Sequence, residues 1–527
     1  MSGSTGSGAA TPFLALACVG MFVASPVQAD EAADDADSPD RSILVEGERE
    51  RLEADSTKAT APILDTPQTV TVISRETIEQ QNLLTLRDVL STVPGITFGA
   101  GEGGGGYGDS INLRGYSASN DLTVDGVRDS AQYSRTDPFN VEAIEVYNGA
   151  NSVYSGSGAI GGTINIVQKR PAGRDFTQLE AGIGTDEYYR AAVDTNQRLT
   201  DSVAVRLNAM AHTNDVPGLD VVGFERWGIA PSVTLGMASP VSATFSYVHQ
   251  EDDNVPVYGV PYFPALGGLV PGGDYAGYYG YRDVDTQESK LDQATARVEA
   301  QLADSLLLTN LTRWQRVGST TIVNPPQGTY CLADGTTQAG VPCAAGQVPG
   351  MYYPSGPRGT TRIAENRLIY NQTDLRAEFA TGGVGHVFVV GVSGAREDYE
   401  LAQGNVQRNP DGTVPPLPPI VIADPDTLYD GPVNFIPSSE QAGEVSNLAA
   451  YAFDTMTFTP WLELNLGARI ESNKGEFQAD TIATPAAGGG VTASLVSDSD
   501  ETLFSYRAGV VVKPSPTSSL YRAYANS

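Results

Sequence analysis

From residue 172 onward, hydrophobic and polar side chains take turns. In 203–212, Val203, Val205, Leu207, Ala209 and Ala211 interleave with Ala204, Arg206, Asn208, Met210 and His212. In 294–302, Ala294, Ala296, Val298, Ala300 and Leu302 interleave with Thr295, Arg297, Glu299 and Gln301. The pattern is cleanest in 462–471, where Leu462, Leu464, Leu466, Ala468 and Ile470 oppose Glu463, Asn465, Gly467, Arg469 and Glu471. A period of two gives each strand one apolar and one wet side. Alternation alone fits a soluble sandwich as well as a membrane barrel, but segments of about 10 residues are what a tilted strand needs to cross hydrocarbon. Short links at 200–201 and Pro460 alternate with long stretches at 215–224, 253–287, 319–365, 402–445 and 479–500. That asymmetry predicts an all-β transmembrane barrel over 172–527. About 13 strands are expected, an odd count that would leave edges unpaired in lipid and so predicts an incomplete barrel.

Residues 61–171 follow a different pattern, that of a small mixed α/β domain. A β-branched run at 69–73 precedes Ser74, a good N-cap for a helix from Arg75. Thr85 with Asp88 three residues later resembles a capping box, and Leu86, Val89, Leu90 and Val93 share one helical face. Pro94-Gly95 ends that helix. Strands are predicted at 111–113, 121–124, 141–147 and 163–168, with Asp125-Gly126 as a tight turn. Before this domain, 30–60 is polar and without periodicity, a flexible arm. Residues 13–24 form one apolar run followed by Val27-Gln28-Ala29, so 1–29 is expected to be a signal peptide, although no Lys or Arg precedes Arg41. Cys18 sits inside that run, which argues against a lipoprotein site.

Charge narrows the function. Lys+Arg number 32 against 63 Asp+Glu, a net −31, which disfavours the phosphate attraction on which nucleic-acid binders depend. The 57 glycines and 24 tyrosines suit a turn-rich, aromatic-studded β protein. Cys331 and Cys343 lie in a Gly/Pro-rich stretch, and an exported protein can join them in a disulfide. The histidines, His212, His249 and His386, are too scattered for a metal centre. No nucleophile–base pair, phosphate loop or carboxylate pair is evident, so no enzyme, resident metal or cofactor is expected.

Six blocks within 67–165 carry a family resemblance: Pro67-Gln68-Thr69-Val70-Thr71-Val72; Leu86-Arg87-Asp88-Val89-Leu90 with Val93-Pro94-Gly95-Ile96; Asn112-Leu113-Arg114-Gly115-Tyr116; Val124-Asp125-Gly126-Val127-Arg128-Asp129; 138–146; and 156–165, which contains Gly161-Gly162. In this order they resemble the TonB-dependent outer-membrane siderophore receptors, and the 98–109 loop and 133–145 block are most similar to the ferric-catecholate group. Asn148-Gly149-Ala150 departs from the family's usual Lys-Gly-Pro. The resemblance implies a barrel of about 22 strands filled by a plug. It further implies import of a ferric siderophore across the outer membrane of a Gram-negative bacterium, with TonB of the TonB-ExbB-ExbD complex pulling on the arm and outer-membrane lipid around the wall. Importers of another scarce nutrient, such as cobalamin or an oligosaccharide, and a non-transporting outer-membrane binding protein are the alternatives.

The resemblance also assigns roles. Ser42, Ile43, Leu44, Val45 and Glu46 resemble a TonB box, an extended segment able to add to a partner's sheet edge. Gly99 to Gly104 formally matches GxGxxG, but a strand pattern follows where a dinucleotide site needs a helix. The stretch reads instead as an apical plug loop that meets substrate through Gly101, Glu102 and Tyr107. Tyr275, Tyr278, Tyr279 and Arg282 in one long loop, and Tyr133 and Arg135 on the plug, offer the aromatic faces and guanidinium groups that a planar anionic complex needs. Arg114, Gly115, Asp125, Gly126, Gly161 and Gly162 are the expected plug turn and packing residues.

Overall fold

The structure, a computed structural model, describes residues 55–99, 109–156, 158–356, 358–425 and 428–527. Segment 70–168 builds the small domain. β1 (Val70–Ser74) leads directly into α1 (Arg75–Gln80), whose N-cap Ser74 accepts a hydrogen bond from the Thr77 amide. α2 (Leu86–Ser91) is capped by Thr85, which accepts from the Asp88 amide at 3.0 Å. β2 (Ile96–Phe98), β3 (Ile111–Leu113) and β4 (Tyr116–Ser117) form a minor antiparallel sheet. β5 (Leu122–Val124), β6 (Val127–Arg128), β7 (Val141–Asn148) and β8 (Gly162–Gln168) join β1 in the order β1-β7-β8-β5-β6, and only the β5–β8 pair is parallel. A short α3 (Ser152–Ser155) lies between β7 and β8. Asp125 and Gly126 have φ of 48° and 78°, the left-handed pair that a two-residue hairpin of matching twist demands. The core is Leu90, Leu113, Leu122, Ile144 and Ile164 with their neighbours, all buried. β2, β4, β6 and α3 are too short for periodicity to disclose.

Around this domain wraps one antiparallel sheet of thirteen strands, from Phe176–Ile183 to Ser518–Ala525, each paired with its sequence neighbours within the sheet. In the strand Leu462–Ile482 the expected division holds: Glu463, Asn465, Arg469 and Glu471 are buried toward the small domain, while Ile470 faces outward and is exposed. The small domain is thus a plug. Among the described residues no helix is long and apolar enough to cross a membrane.

One rim carries tight connections at 201–202, 236–240, 304–305, 382–383, 460–461 and 516–517. The other carries 184–188, 216–222, 255–285, 324–359, 406–435 and 483–490. The long stretches expected at 319–365, 402–445 and 479–500 are therefore shorter than the sequence suggested. Val323 pairs with Thr360, Asn405 with Ile436, and Ala479 with Leu495. Beyond the lipid both faces of a strand meet water, so alternation fades while the backbone ladder continues.

The three longest connections share a core of their own, in which Tyr330 stacks on Tyr352 with ring centroids 4.3 Å apart among Val270, Tyr279, Ile420 and Ile422. Cys331 and Cys343 are joined by a disulfide across 12 residues of chain.

Polar and charged contacts hold the plug to the wall. Arg313, on strand Leu306–Val323, donates to the Val124 carbonyl and to the Asp125 carboxylate, each at 2.7 Å, and to Thr295 at 2.9 Å. Arg190 and Arg226 converge on Asp137 at 2.7 and 3.0 Å. Residues 55–60, which the sequence places at the end of the arm, instead lie as a strap against the wall. Thr57 donates to Asp374 at 2.5 Å, Arg376 donates to the Ala59 carbonyl at 2.7 Å, and Thr60 meets Thr455 at 2.7 Å. A lumen lined with polar groups gives such a segment partners that bulk sequence composition does not reveal.

Two outcomes follow. Arg313→Met leaves the buried Asp125 carboxylate with the Gln168 amide at 3.0 Å and, as its charged partner, the more distant Arg170 at 3.4 Å, and is expected to weaken plug docking by about 3 kcal/mol; urea-dependent proteolysis of the plug measures this. Cys343→Ser releases the 331–343 loop and is expected to cost that loop about 3 kcal/mol, seen as faster proteolysis within 324–359 and an unchanged barrel.

Candidate functional site: a cavity between plug and wall

A cavity of about 730 Å³ opens between the plug and the wall strands of 360–515. The plug contributes Arg128 and Gln132; the wall contributes Arg362, Tyr370, Glu397 and Tyr399. Arg128 follows the Asp125-Gly126 turn, so the hairpin of β5 and β6 places it at the cavity. Arg362 Nη2 donates to Gln132 Oε1 at 3.3 Å, and Ser130 donates to Glu397, so plug and wall are in direct contact here. Four cationic side chains and four carboxylates line the space. The cavity can therefore meet an anion locally without being a general anion trap.

A second cavity of about 300 Å³ lies where the plug meets the 255–285 connection, lined by Arg87, Phe98, Asp109, Arg135 and Tyr258. The Arg87 guanidinium sits over the Phe98 ring at 4.6 Å. Gly99 and Asp109, which bracket the apical loop, both face this space.

The expected site residues separate into groups. Gly101, Glu102 and Tyr107, like Ser42, Ile43, Leu44, Val45 and Glu46, lie outside the described residues. Tyr133 and Arg135 come together, but as a lock inside the plug. Arg135 donates to Asp109 at 2.9 Å and to Asp129 at 2.7 Å and stacks over Tyr133 at 4.3 Å; the Tyr133 hydroxyl donates to Asp129. Burial works to raise the Asp129 carboxyl, yet Arg135 and the hydrogen bonds it accepts outweigh that and hold it below the usual range. At Asp109 burial wins and the carboxyl is raised. Gln315 donates to Asp129 at 2.8 Å and ties the lock to the wall.

In the 255–285 connection, Tyr275 is 59% exposed and Arg282 is exposed, whereas Tyr278 and Tyr279 are each 2% exposed. The Tyr278 hydroxyl donates to Asp285 at 2.7 Å, and Tyr279 packs against Tyr330 and Tyr352. These two serve the loop core rather than a ligand surface, because a tyrosine-rich loop of this length must bury some of its rings to fold at all. Arg114 and Gly115 form the turn between β3 and β4 with φ of 54° and 85°. Gly161 and Gly162 run so close to the Leu113 and Tyr147 carbonyls that a Cβ at either would overlap them. Among the described residues no group of His, Cys, Asp or Glu is arranged to hold a metal ion.

Sequence reasoning missed Arg128, Arg362 and Tyr399. Arg128 sits within a family block but carries no signal beyond it. Arg362 fell in a stretch expected to be loop; the inward phase of Leu368 and Tyr370, extended three two-residue steps toward the rim through 366 and 364, reaches it.

Comparison with known proteins supplies the family. Residues 62–163 match the model of the TonB-dependent receptor plug domain, and 226–527 match that of the TonB-dependent receptor-like β-barrel. The chain is 34% identical over 509 residues to the probable TonB-dependent receptor BfrD of Bordetella pertussis, covering 92% of this chain and 65% of that protein. It is 31% identical over 544 residues to the catecholate siderophore receptor Fiu of Escherichia coli K12, covering 98% and 68%. Among solved structures, the siderophore receptor PiuA of Acinetobacter baumannii aligns with a TM-score of 0.76 at 28% identity, over 90% of this chain and 66% of that one. The closed form of Fiu aligns at 0.77 and 30%, over 90% and 67%. The chain thus spans about two thirds of the length of these relatives. A barrel model covering more than half of the sequence, a plug model before it and a plug seated in a matching wall lead to one conclusion: the chain belongs to the TonB-dependent receptors.

Proposed function

We propose that the protein imports a ferric siderophore of catecholate type, taking it from outside into the cavity between plug and wall and passing it inward when TonB, energised by ExbB and ExbD, pulls on the arm. The observation that carries this reading is the cavity of about 730 Å³ with Arg128 and Arg362 facing it from plug and wall and Tyr399 beside them. Guanidinium groups and an aromatic face suit a planar, anionic chelate. The resemblance to Fiu, whose name states a catecholate siderophore, supports the same ligand class. Iron is the cargo and enters already chelated. Within the proposal, 1–29 is the export signal, 30–60 the arm with Ser42 to Glu46 as its TonB box, 61–171 the plug and 172–527 the wall. Tyr275, Arg282 and the apical residues Gly101, Glu102 and Tyr107 are proposed as first contacts on the way in.

The strap gives the arm a point of purchase. Lys58 donates to the Tyr154 carbonyl at 2.8 Å and lies over the Tyr451 ring at 4.7 Å. Burial pushes its ammonium down to about 7, with Arg469 adding to the push while Asp374 and Glu471 oppose it. A detached strap would hold a proton that the docked one sheds, between about pH 7 and the ordinary lysine value of 10.5. Docking therefore strengthens as pH rises through that window. A spin label at Ser56→Cys is expected to lose mobility between pH 7 and pH 9, and Lys58→Met should flatten the profile; mobility that rises with pH would contradict the assignment.

The transport reading is tested by uptake of radioactive iron as its catecholate complex into cells that depend on the full-length receptor. Deleting residues 42–46 is expected to abolish uptake, and Arg362→Ala to reduce it about tenfold, the loss of one charge-assisted contact. Full uptake without residues 42–46 would end the coupling proposal. Uptake of cobalamin or an oligosaccharide in place of the iron complex would move the ligand assignment.

A further inference from the structure

The charges around the larger cavity oppose one another. Among the described residues that line it, Lys58, Arg128, Arg362 and Arg469 meet Glu397, Glu471, Glu476 and Asp498. Two further carboxylates stand behind the cations: Asp121 lies 3.5 Å from Arg128, and Asp374 acts on Lys58. Arg469 and Glu471, both buried, are paired at 2.8 Å. The neighbouring lock adds no positive charge, since Arg135 there is set against both Asp109 and Asp129. The cavity therefore carries no net positive charge, although two guanidinium groups reach into it from plug and wall.

Glu397 holds a particular place in this balance. It enters from the wall strand Val384–Asn405, its carboxylate accepts from the Ser130 hydroxyl of the plug, and Arg128 acts on the same carboxylate. The Ser130 contact fixes a negative charge beside the cation that an anionic ligand would seek.

Iron(III) held by three doubly deprotonated catechols is a trianion; held by two, with water at its remaining positions, it is a monoanion. Both offer planar aromatic faces, so Tyr370 and Tyr399, which also line the space, do not separate them. Charge does. The cost of taking an ion out of water grows with the square of its charge and is about ninefold greater for the trianion. A lining without net positive charge returns little of that cost, and the Glu397 carboxylate repels the trianion more strongly than the monoanion.

We propose that the cavity selects the monoanionic ferric complex of two catechols over the trianionic complex of three, and that Glu397 is the residue that sets this preference. The inference rests on the catecholate reading above and narrows it to one charge class.

The test uses the full-length receptor in detergent and isothermal titration calorimetry at neutral pH. The probes are preformed ferric complexes of two synthetic chelators on the same linker chemistry, one bearing two catechols and the other three. Wild type is expected to bind the two-catechol complex about tenfold more tightly. Glu397→Gln, which can still accept from Ser130, should narrow that ratio about tenfold, whereas Glu397→Asp, which keeps the charge, should preserve it. Arg396→Gln, whose side chain is exposed and paired with Glu444 at 2.9 Å, should leave the ratio unchanged, and heat-modifiable electrophoretic migration shows that each variant is folded. Equal or tighter binding of the three-catechol complex by wild type, or an unchanged ratio in Glu397→Gln, would overturn the charge selection and leave catecholate import standing. Binding of neither complex would overturn the catecholate reading and this inference with it.

Discussion

A wall strand in lipid can turn only one side to hydrocarbon, and its other side must find polar company inside. Here that company is the plug. Arg313 on the Val124 carbonyl and Asp125, Arg190 and Arg226 on Asp137, and Gln315 on Asp129 fill the inward positions. Removing one charged partner from such a buried set leaves the other without compensation, a larger loss than the pair's own net contribution. Apolar contacts cross the same interface, Val127 on Leu311 and Leu368, Phe139 on Met210 and Val248, Val153 on Val389 and Phe453, as separate clusters between the directional contacts.

The wall was legible from its period of two because lipid on one side and polar plug on the other impose opposite preferences on alternate residues. Leu462 to Glu471 shows it residue by residue. The same cause explains the failure at the outer rim. Once a strand such as Val491–Ser515 leaves the membrane, water bathes both faces and the period vanishes although pairing goes on. Within the plug, Ser74 and Thr85 were readable as caps because a side-chain oxygen at a helix start has one task. The burial of Tyr278 and Tyr279 was not, because composition alone cannot tell a tyrosine on a loop surface from one that holds the loops together.

The three long outer connections add a second organising element. Their shared core, with Tyr330 on Tyr352 and the Cys331–Cys343 bridge, makes them one body at the mouth of the wall. The buried Asp285, which accepts from Tyr278 and from Asn324, fastens that body close to the rim at the start of the strand Thr286–Ala303.

β1 sits at the edge of the plug sheet, bonded to β7 alone, and is the first strand after the strap. It gives the plug core a single buried side chain, Ile73, whereas β7 and β8 together give Ile144, Val146, Ile164 and Ile166. Mechanical load arriving from the N-terminal side would therefore meet a detachable margin first. That margin can be unpicked while the central strands keep their hydrophobic packing, so the plug is able to yield in instalments, with a remnant left as the template on which the lost strand re-forms.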